Sequence, residues 1–435
     1  MTRYQSWGRY PQSAQTARVI ASGADTLGQG AGERILPFGN GRSYGDSCLT
    51  SGTLLDTANL NRIVAFDQVT GVVRCEAGVL LCDLIARVMP AGWFVPVTPG
   101  TQLVTIGGAI ANDVHGKNHH VRGTFGSHVT AFELLRSDGS RRVCRPNENS
   151  ELFSATIAGL GLTGLITWAD IQLIPVKSNR INQTITPFAN LAGFLDLARA
   201  SDRTHEYSVA WIDSLASGAD LGRGLFIKGN HARETSSLEA APAHAKLKIP
   251  FVSPVSLLNR TTLQALNVLY RHQTGGRERS GAVGYQPFFY PLDRIGGWNR
   301  LYGRSGLLQH QSVVPPDGGI EVVADLLTRS QRSGLASFLT VLKVFGDKSS
   351  PGLMSFPKPG LTLTLDFANT GDKLFQLLDE LDRVVVAAGG RINPYKDARM
   401  SAATFAASFP RASEFKPHID PAFQSDFWTR VTGDR

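Results

Sequence analysis

Three glycine-rich loops in the first part of the chain have the composition of a phosphate-binding site. They run from Phe38 to Asp46, from Thr98 to Ala109 and from Ala158 to Leu165. Glycines allow backbone N–H groups to converge on a phosphate without steric hindrance from Cβ atoms. The first loop has the spacing G-x-G-x-x-x-G, which differs from the Rossmann fingerprint, and one such loop is more often a turn than a cofactor site. Three of them together indicate a long pyrophosphate cofactor held by several backbone segments.

A histidine-rich string, HGKNHH, follows the second loop at residues 115–120, and His128 comes shortly after it. Histidine clusters can bind metal, but no cysteine or carboxylate stands here at ligand spacing. We therefore predict no metal site and assign structural roles to His120 and His128. His115 directly follows the glycine loop, so it is the histidine that we select for a role in chemistry.

Composition and charge exclude several classes of protein. The chain has 435 residues, of which 42% are hydrophobic and 18% are charged, and its formal net charge is +8. This composition is not typical of disordered, collagen-like or coiled-coil proteins. A basic excess this mild suits an anionic ligand or an anionic membrane surface, and it is too small to indicate nucleic-acid binding.

Cysteine usage and the N-terminus predict the compartment. The four cysteines, at 48, 75, 82 and 144, show no CxxC spacing, so we expect reduced thiols in a cytoplasmic protein. The N-terminus lacks the apolar segment of a signal peptide. The uncharged stretch from Val88 to Asn112 contains several prolines and glycines, so we expect no transmembrane helix. The predicted protein is cytoplasmic, with peripheral contact to the inner membrane left open.

Two kinds of element must position these loops. Up to about residue 175, short β-like runs alternate with helical patterns, including an amphipathic helix from Val79 to Met89 that ends at Pro90. Beyond that point, several segments alternate with the two-residue period of strands. A further helix is predicted from Asp372 to Ala388, with two glycines as its stop signal.

The alternating segments predict an antiparallel sheet with one polar face. In residues 361–367, the leucines and Phe367 point one way, whereas Thr362, Thr364 and Asp366 point the other. By the same period, Gln309 and Gln311 share a face, as do Lys343 and Phe345. A sheet of this kind is typical of the floor of a pocket.

Residues 228–280 show no clear alternation and are rich in Ser, Pro, Gly and basic residues. We expect them to form a mobile excursion. The helical pattern that precedes Arg271 is apolar with basic ends. It suits either an interfacial helix that acts as a lid or an ordinary amphipathic helix packed on the core.

The motifs taken together closely resemble the decaprenylphosphoryl-β-D-ribose 2′-oxidase family, within the vanillyl-alcohol oxidase superfamily. The resemblance covers nearly the whole chain apart from the excursion, and the HGKNHH string in this context is very specific. The matching segments are residues 37–46 (PFGNGRSYGD), 99–111, 113–120 (DVHGKNHH), 291–300, 308–311 (LQHQ), 343–346 and 396–399.

The resemblance implies an α+β fold. A PCMH-type FAD-binding domain in two parts would enclose an inserted substrate domain built on an antiparallel sheet. The expected boundaries are 1–177 for the N-terminal part of the FAD domain, 178–390 for the substrate domain and 391–435 for the C-terminal return.

The resemblance also implies which residues hold the FAD. Relatives often tether the flavin through a histidine in the first loop, and Arg42 stands at that position here. Because arginine cannot form the link, we expect noncovalent FAD. The expected cofactor-binding residues are Pro37, Phe38, Gly39, Asn40, Gly41, Arg42, Ser43, Tyr44, Gly45, Asp46, Ser47, Gly100, Thr105, Ile106, Gly107, Gly108, Asn112, Asp113, Val114, His115, Ile166 and Asn393.

Lys396 matches the active-site lysine of the family, and its cation suits stabilisation of a developing alkoxide or of the reduced flavin. The other expected catalytic residues are His115, Lys117 and Tyr44, and the general base stays open among the candidates. The expected substrate-binding residues are Trp211, Gln309, Gln311 and Lys343. Four positions depart from the family pattern, and these departures bear on which sugar is bound more than on the reaction. They are Phe289, Asn393, Thr362 and Thr364.

The function that the resemblance implies is oxidation of the 2′-hydroxyl of a polyprenyl-phosphoryl pentose to a keto sugar. This would be the first half of an epimerisation that a short-chain NAD(P)-dependent keto-reductase partner completes, for synthesis of a cell-wall arabinose donor. One alternative is a soluble alditol or sugar-lactone oxidase that uses oxygen. Another is a non-catalytic protein that binds lipid-linked glycans.

Overall fold

The computed structural model describes residues 4–28, 30, 32–234, 237–243 and 245–433. Residues 235, 236 and 244 of the predicted excursion therefore lie outside the described residues, as do residues 1–3, 29, 31, 434 and 435 of the predicted FAD domain. The domain boundaries themselves stay a prediction.

The first part of the described chain combines short strands with short helices. The strands are β1 (Thr16–Val19), β2 (Ile35–Phe38), β3 (Thr53–Asp56), β4 (Ile63–Phe66), β5 (Val72–Glu76), β6 (Trp93–Phe94), β7 (Val129–Leu135), β8 (Arg141–Cys144), β9 (Leu165–Gln172) and β10 (Ile174–Pro175). The helices are α1 (Leu81–Val88), α2 (Ile106–Ala111), α3 (His119–Arg122) and α4 (Ser150–Thr156). A parallel sheet has the order β1-β3-β2, an antiparallel sheet has the order β4-β5-β9-β7-β8, and β6 pairs with β10.

Helix α1 confirms the amphipathic helix expected before Pro90. Its buried face includes Leu81, Leu84, Ile85 and Val88, which recur at helical spacing. A 3₁₀ turn from Met89 to Ala91 takes over where proline would break the α-helical hydrogen bonding.

The second part of the described chain is organised around one large sheet. Its strands and those near it are β11 (Arg180–Phe188), β12 (Tyr207–Ile212), β13 (Gly224–His231), β14 (Leu247–Lys248), β15 (Arg279–Gly284), β16 (Ile295–Gly296), β17 (Leu307–Val314), β18 (Val341–Phe345), β19 (Gly360–Ala368) and β20 (Arg391–Ile392). The helices are α5 (Leu191–Ser201), α6 (Arg260–His272), α7 (Tyr285–Phe289), α8 (Gly319–Arg332), α9 (Asp372–Ala387), α10 (Ala402–Ser408), α11 (Ala412–Phe415) and α12 (Asp426–Thr432). The sheet is antiparallel with the order β15-β11-β13-β12-β18-β19-β17-β20, so the predicted α+β class is confirmed.

The sheet has one apolar and one polar face, as its alternation predicts. Helices α8 and α9 cover the face that carries Leu363, Leu365 and Phe367. On the other face, Gln309 lies opposite Asp366 across β17 and β19. The sequence pattern suggested half-buried strands, but every residue of β17 is buried, because other parts of the chain cover the polar face as well.

The end of the chain returns to the first glycine loop. The Arg430 guanidinium pairs with the carboxylates of Asp46 at 2.8 Å and of Asp397 at 3.1 Å. In addition, the Tyr44 backbone N–H donates to the carbonyl of Tyr395 at 2.9 Å. These contacts bring the segment around residue 396 against a loop more than 300 positions earlier in the sequence.

The predicted excursion contains α6, β14 and the start of β15 among its described residues. Only Leu263 and Asn267 of α6 are buried, so this helix does not pack a broad apolar face on the core. None of the described helices combines the length and the apolar character needed to cross a bilayer.

Candidate active site

A cavity of about 780 Å³ lies between the glycine loops and the polar face of the large sheet. The three loops form its wall, β12, β17, β18 and β19 form its floor, and residues around 270–273 and 287–298 close its remaining side. This volume is within the range of cofactor and substrate sites. All three loops border this one cavity, which is consistent with the sequence prediction that they surround a single ligand.

The first loop presents a series of free backbone donors to the cavity. In the described part of the chain, the N–H groups of residues 40–43 donate to no protein acceptor. Gly41 has a φ of +57°, and a Cβ there would lie 2.4 Å from the carbonyl oxygen of Gln5. Successive N–H groups in such a turn form a concave site for anions. This loop has the geometry of a pyrophosphate cradle.

The other two loops are tied to each other through α2. The hydroxyl of Thr105 accepts a hydrogen bond from the Gly108 N–H at 3.2 Å and caps the helix. The Leu160 N–H donates to the carbonyl of Ala111 at 2.8 Å. Leu160 does so with a φ of +54°, an uncommon conformation for a residue other than glycine. The wall is therefore a connected unit that packing holds in place.

Most of the predicted cofactor residues line the cavity. They are Pro37, Gly39, Asn40, Gly41, Arg42, Ser43, Tyr44, Ser47, Gly100, Thr105, Gly107, Gly108, Asn112, Val114, His115 and Ile166. The structure places six others behind the wall, namely Phe38, Gly45, Asp46, Ile106, Asp113 and Asn393. Asp113, for example, accepts hydrogen bonds from the Gly126 N–H and the hydroxyls of Ser350 and Ser355. Such residues support the wall.

Lys396 is a buried cation at the first loop. Its Nζ lies 3.9 Å from the centroid of the Tyr44 ring, and it donates to no acceptor among the described residues. Burial lowers the pKa of Lys396, and the charge of Asp366 opposes this shift. The ammonium group is therefore available to a ligand in the cavity.

Asp366 does not line the cavity but contacts Gln309, which does, and the sequence prediction did not select it. It is fully buried on β19 and accepts a hydrogen bond from Gln309 Nε2, while its Oδ2 has no hydrogen-bond partner in the described part of the chain. Burial raises its pKa, opposed by the bond from Gln309 and the charge of Lys396. The alternation of residues 361–367 could have identified Asp366, because it places this carboxylate on the polar face of the strand.

A chain of hydrogen bonds fixes the orientation of His115. The Tyr395 N–H donates to Asn393 Oδ1 at 3.2 Å, and Asn393 Nδ2 donates to Gln311 Oε1 at 2.8 Å. Gln311 Nε2 then faces His115 Nε2 at 3.1 Å, and Nδ1 of the same ring lies 3.3 Å from Lys343 Nζ. Because the amide group donates to Nε2, the imidazole proton belongs on Nδ1.

This assignment makes Lys343 a hydrogen-bond acceptor and therefore a neutral amine. Burial, with the charges of Lys117 and Lys396, lowers the pKa of Lys343 to about 7. Burial, the largest cause, holds the pKa of His115 well below its usual range. The pair can thus be neutral near pH 7.

Lys117 lies in the cavity wall, with its Nζ donating to the carbonyl oxygen of Phe288 at 2.5 Å. Burial lowers its pKa to about 7. Next to it, the ring of Phe289 lines the cavity at a position where the resemblance implies an aromatic phenol. The Tyr290 hydroxyl instead forms a hydrogen bond with Thr98 Oγ1 at 2.6 Å. This side of the cavity is therefore less polar than the resemblance implies.

The predicted substrate residues Trp211, Gln309, Gln311 and Lys343 all line the floor. The Trp211 ring lies 4.8 Å from the ring of Tyr270, which comes from α6. No local pattern in the sequence marks Tyr270 as a site residue. In the described ranges, no group of three or more His, Cys, Asp or Glu side chains is placed to hold a metal ion, and the expected lack of a metal stays a prediction.

Comparison with known proteins identifies the cofactor and the family. Residues 26–145 match the family described as FAD binding domain. The chain is 37% identical to decaprenylphosphoryl-β-D-ribose oxidase of Mycolicibacterium smegmatis, over 99% of this chain and 97% of that protein. It is 29% identical to the putative D-arabinono-1,4-lactone oxidase of Neurospora crassa, over 37% of this chain and 28% of that protein. It is 28% identical to L-gulonolactone oxidase of Bos taurus, over 40% of each chain.

The cavity fits an FAD molecule on independent grounds. The free N–H groups of residues 40–43 suit the pyrophosphate. Gly39 and Gly107 keep the wall tightly closed, since a Cβ at Gly39 would lie 2.4 Å from Thr105 Oγ1. Lys396 supplies a cation on the side where the wall meets the floor.

The nearly complete coverage of both chains at 37% identity shows the family. The chain is an FAD-dependent oxidoreductase and belongs to the decaprenylphosphoryl-β-D-ribose oxidase family.

Proposed function

We propose that this enzyme oxidises the 2′-hydroxyl of a polyprenyl-phosphoryl pentose, of the decaprenylphosphoryl-ribose type, to the 2′-keto sugar. The observation that carries the proposal is the charge of the cavity. The side chains of Lys117 and Lys396 reach it, and neither forms a salt bridge with a carboxylate in the described part of the chain, whereas His115 holds Lys343 as a neutral amine. An anionic sugar phosphate suits this environment better than a neutral alditol.

The residues of the cavity divide the chemistry between them. The residues of the wall would hold FAD, which would supply the acceptor for the hydride of the carbinol carbon. Lys396 stabilises the negative charge that develops on the sugar oxygen. Lys343 takes the hydroxyl proton, which requires its single amine lone pair to turn from His115 Nδ1 to the sugar hydroxyl. Gln309 and Gln311 present amide groups from the floor and orient the sugar.

We also propose that the FAD is bound without a covalent link. The Arg42 guanidinium donates to the carbonyl of Asn40 at 2.8 Å and lies 4.6 Å from the centroid of the Trp7 ring. It thus has a structural role at the position where relatives carry the tethering histidine. After acid precipitation of the holoenzyme, the visible flavin band should move to the supernatant. A band retained in the pellet would contradict noncovalent binding.

In this proposal the oxidation is the first half of an epimerisation that supplies an arabinose donor for cell-wall glycans. A short-chain NAD(P)-dependent reductase would return hydride to the opposite face of the keto sugar. Mixing the two enzymes with the ribosyl lipid and NAD(P)H should therefore yield the arabinosyl lipid. Accumulation of the keto sugar in the presence of such reductases would count against this step.

The soluble sugar oxidase is the second candidate, supported by the similarity to two lactone oxidases. That similarity covers 40% or less of the chain. The alternative of a non-catalytic binding protein is set aside, because the chain is an FAD-dependent oxidoreductase.

Substrate and acceptor panels separate the two enzymatic candidates. We expect a polyprenyl-phosphoryl pentose to reduce the flavin, and the reduced enzyme to react slowly with oxygen and rapidly with a quinone-like acceptor. Rapid peroxide formation with a free alditol or aldonolactone, and no reduction by the lipid-linked pentose, would favour the soluble oxidase.

A further inference from the structure

Most of the exposed large hydrophobic side chains among the described residues lie in one short stretch. They are Leu247, Phe251, Val255, Leu257, Leu266, Val268, Leu269 and Tyr270, and Leu269 is 72% exposed. We name this set the apolar surface. Contiguous exposed apolar residues of this kind usually mark a site of interaction with a protein or a membrane.

The packing of α6 turns these side chains outward. Asn267 Nδ2 donates to Asp213 Oδ1 at 2.8 Å in a buried contact, and Leu263 is buried on the same side of the helix. A capping box at Asn259 and Thr262 fixes the first turn. The helix is therefore held on the large sheet by one face, and Leu266 and Leu269 remain on the outside.

Positive charge surrounds the apolar surface. Residues 245–280 contain six basic side chains, namely Lys246, Lys248, Arg260, Arg271, Arg277 and Arg279, against Glu278 as the sole acidic one. Glu278 accepts a hydrogen bond from Thr186 Oγ1 at 2.7 Å. An apolar surface with a basic rim is complementary to an anionic lipid bilayer. A second copy of the chain would bring like charges together, so self-association is disfavoured.

The apolar surface is continuous with the active-site cavity. Tyr270 is 40% exposed and also lines the cavity, where its ring contacts Trp211. Ala245 and Gln273, on either side of the surface, line the cavity too. A ligand with an apolar tail can therefore place its polar end in the cavity while the tail passes along this surface.

We propose that the apolar surface inserts into an anionic membrane at the mouth of the cavity. The sugar phosphate then reaches the flavin while its polyprenyl chain stays in the bilayer. The second statement rests on the proposed function, whereas membrane binding itself does not depend on which substrate is oxidised.

The test measures co-sedimentation of the holoenzyme with vesicles of phosphatidylglycerol and phosphatidylcholine. The variant Leu266→Glu/Leu269→Glu should bind these vesicles at least about tenfold more weakly than the unmodified enzyme. The matched control Val64→Glu/Val69→Glu changes two exposed valines far from the cavity and should bind normally. Equal binding by the α6 variant and the control would overturn the proposal. So would a change in oligomeric state of the α6 variant with vesicle binding unaltered.

A second pair of measurements separates this proposal from the proposed function. The α6 variant should lose turnover of a polyprenyl-linked pentose in vesicles but keep turnover of a water-soluble short-chain analogue. If the α6 variant binds vesicles more weakly but still turns over the polyprenyl-linked pentose at the normal rate, the apolar surface does not deliver the substrate to the cavity. If wild-type enzyme binds vesicles but neither substrate reduces its flavin, the proposed function fails and the membrane surface stands.

Discussion

The wall and the floor of the cavity use different parts of the polypeptide. The wall offers backbone N–H groups from glycine-rich loops, as in residues 40–43. The floor offers side chains, among them Gln309, Gln311 and Lys343, from strands far apart in the sequence. A backbone surface depends on conformation and close packing, whereas a side-chain surface depends on the identity of each residue.

This difference predicts two classes of variant. Changes in the wall should alter how much FAD the protein retains. Changes in the floor, or at the lysine that faces it, should alter the rate of flavin reduction in protein that retains its FAD. Flavin content and rate of anaerobic reduction, measured on the same preparation, distinguish the two classes.

The largest effect is expected for Lys396→Met. Loss of the only charge proposed to stabilise the sugar oxygen should lower the rate of flavin reduction by about 10²- to 10³-fold. FAD content should stay near that of the unmodified enzyme. The exposed Lys373→Met is the matched control. A rate within a few-fold of wild type in the Lys396 variant would remove this residue from the chemistry.

Among changes in the wall, a large loss of FAD binding is expected for Gly41→Ala. Its φ of +57° disfavours any side chain, and the added Cβ would press on the Gln5 carbonyl. FAD affinity should fall by roughly 100-fold as the cradle changes shape. Gly139→Ala introduces similar backbone strain, at a φ of +80°, in a place with no neighbouring atoms and away from the cavity. If both variants retain FAD equally, the wall does not act through its backbone.

A smaller effect with a distinct pH dependence is expected for Lys343→Met. In the unmodified enzyme, Lys343 must be neutral to accept a proton, so flavin reduction should accelerate as pH rises through about 7. The variant should be about 10- to 100-fold slower and should lack this rise. Stopped-flow reduction across pH provides the measurement. A rise that persists in the variant would assign the proton to another group.

The smallest effect is expected for Asn393→Leu. This side chain touches no cavity space, but it donates to Gln311 and so fixes the proton on His115 Nδ1. Its loss should slow flavin reduction by about three- to tenfold and shift the pH at which the rate rises, with FAD retained. A loss of flavin without any shift in the pH profile would indicate a purely structural role.

Much of the wall could be predicted from the sequence because its signals are local. Glycine spacing and the HGKNHH string mark the loops, and the helix from Leu81 to Val88 follows its periodicity. The floor was partly predictable, since alternation shows that Gln309 and Gln311 share a face. It does not show which face meets the ligand. That depends on which side α8 and α9 cover, a tertiary property.

The residues that were missed come from contacts between distant segments. Asp366 became a candidate only when Gln309 was found opposite it in the sheet. Tyr270 reaches the cavity because the contact between Asn267 and Asp213 sets the position of α6. Similarly, six expected cofactor residues lie behind the wall, because adjacency in a motif does not determine which side chains point inward.

The most direct test of the central claim compares two lipids in anaerobic mixing with the holoenzyme. Polyprenyl-phosphoryl ribose should bleach the visible flavin band, whereas the 2-deoxyribose analogue, which lacks the proposed reacting hydroxyl, should bind and leave the band unchanged. Bleaching by the 2-deoxy analogue at a comparable rate would contradict oxidation at the 2′ position. No bleaching by either lipid, with a free sugar or lactone active instead, would contradict the proposed substrate class.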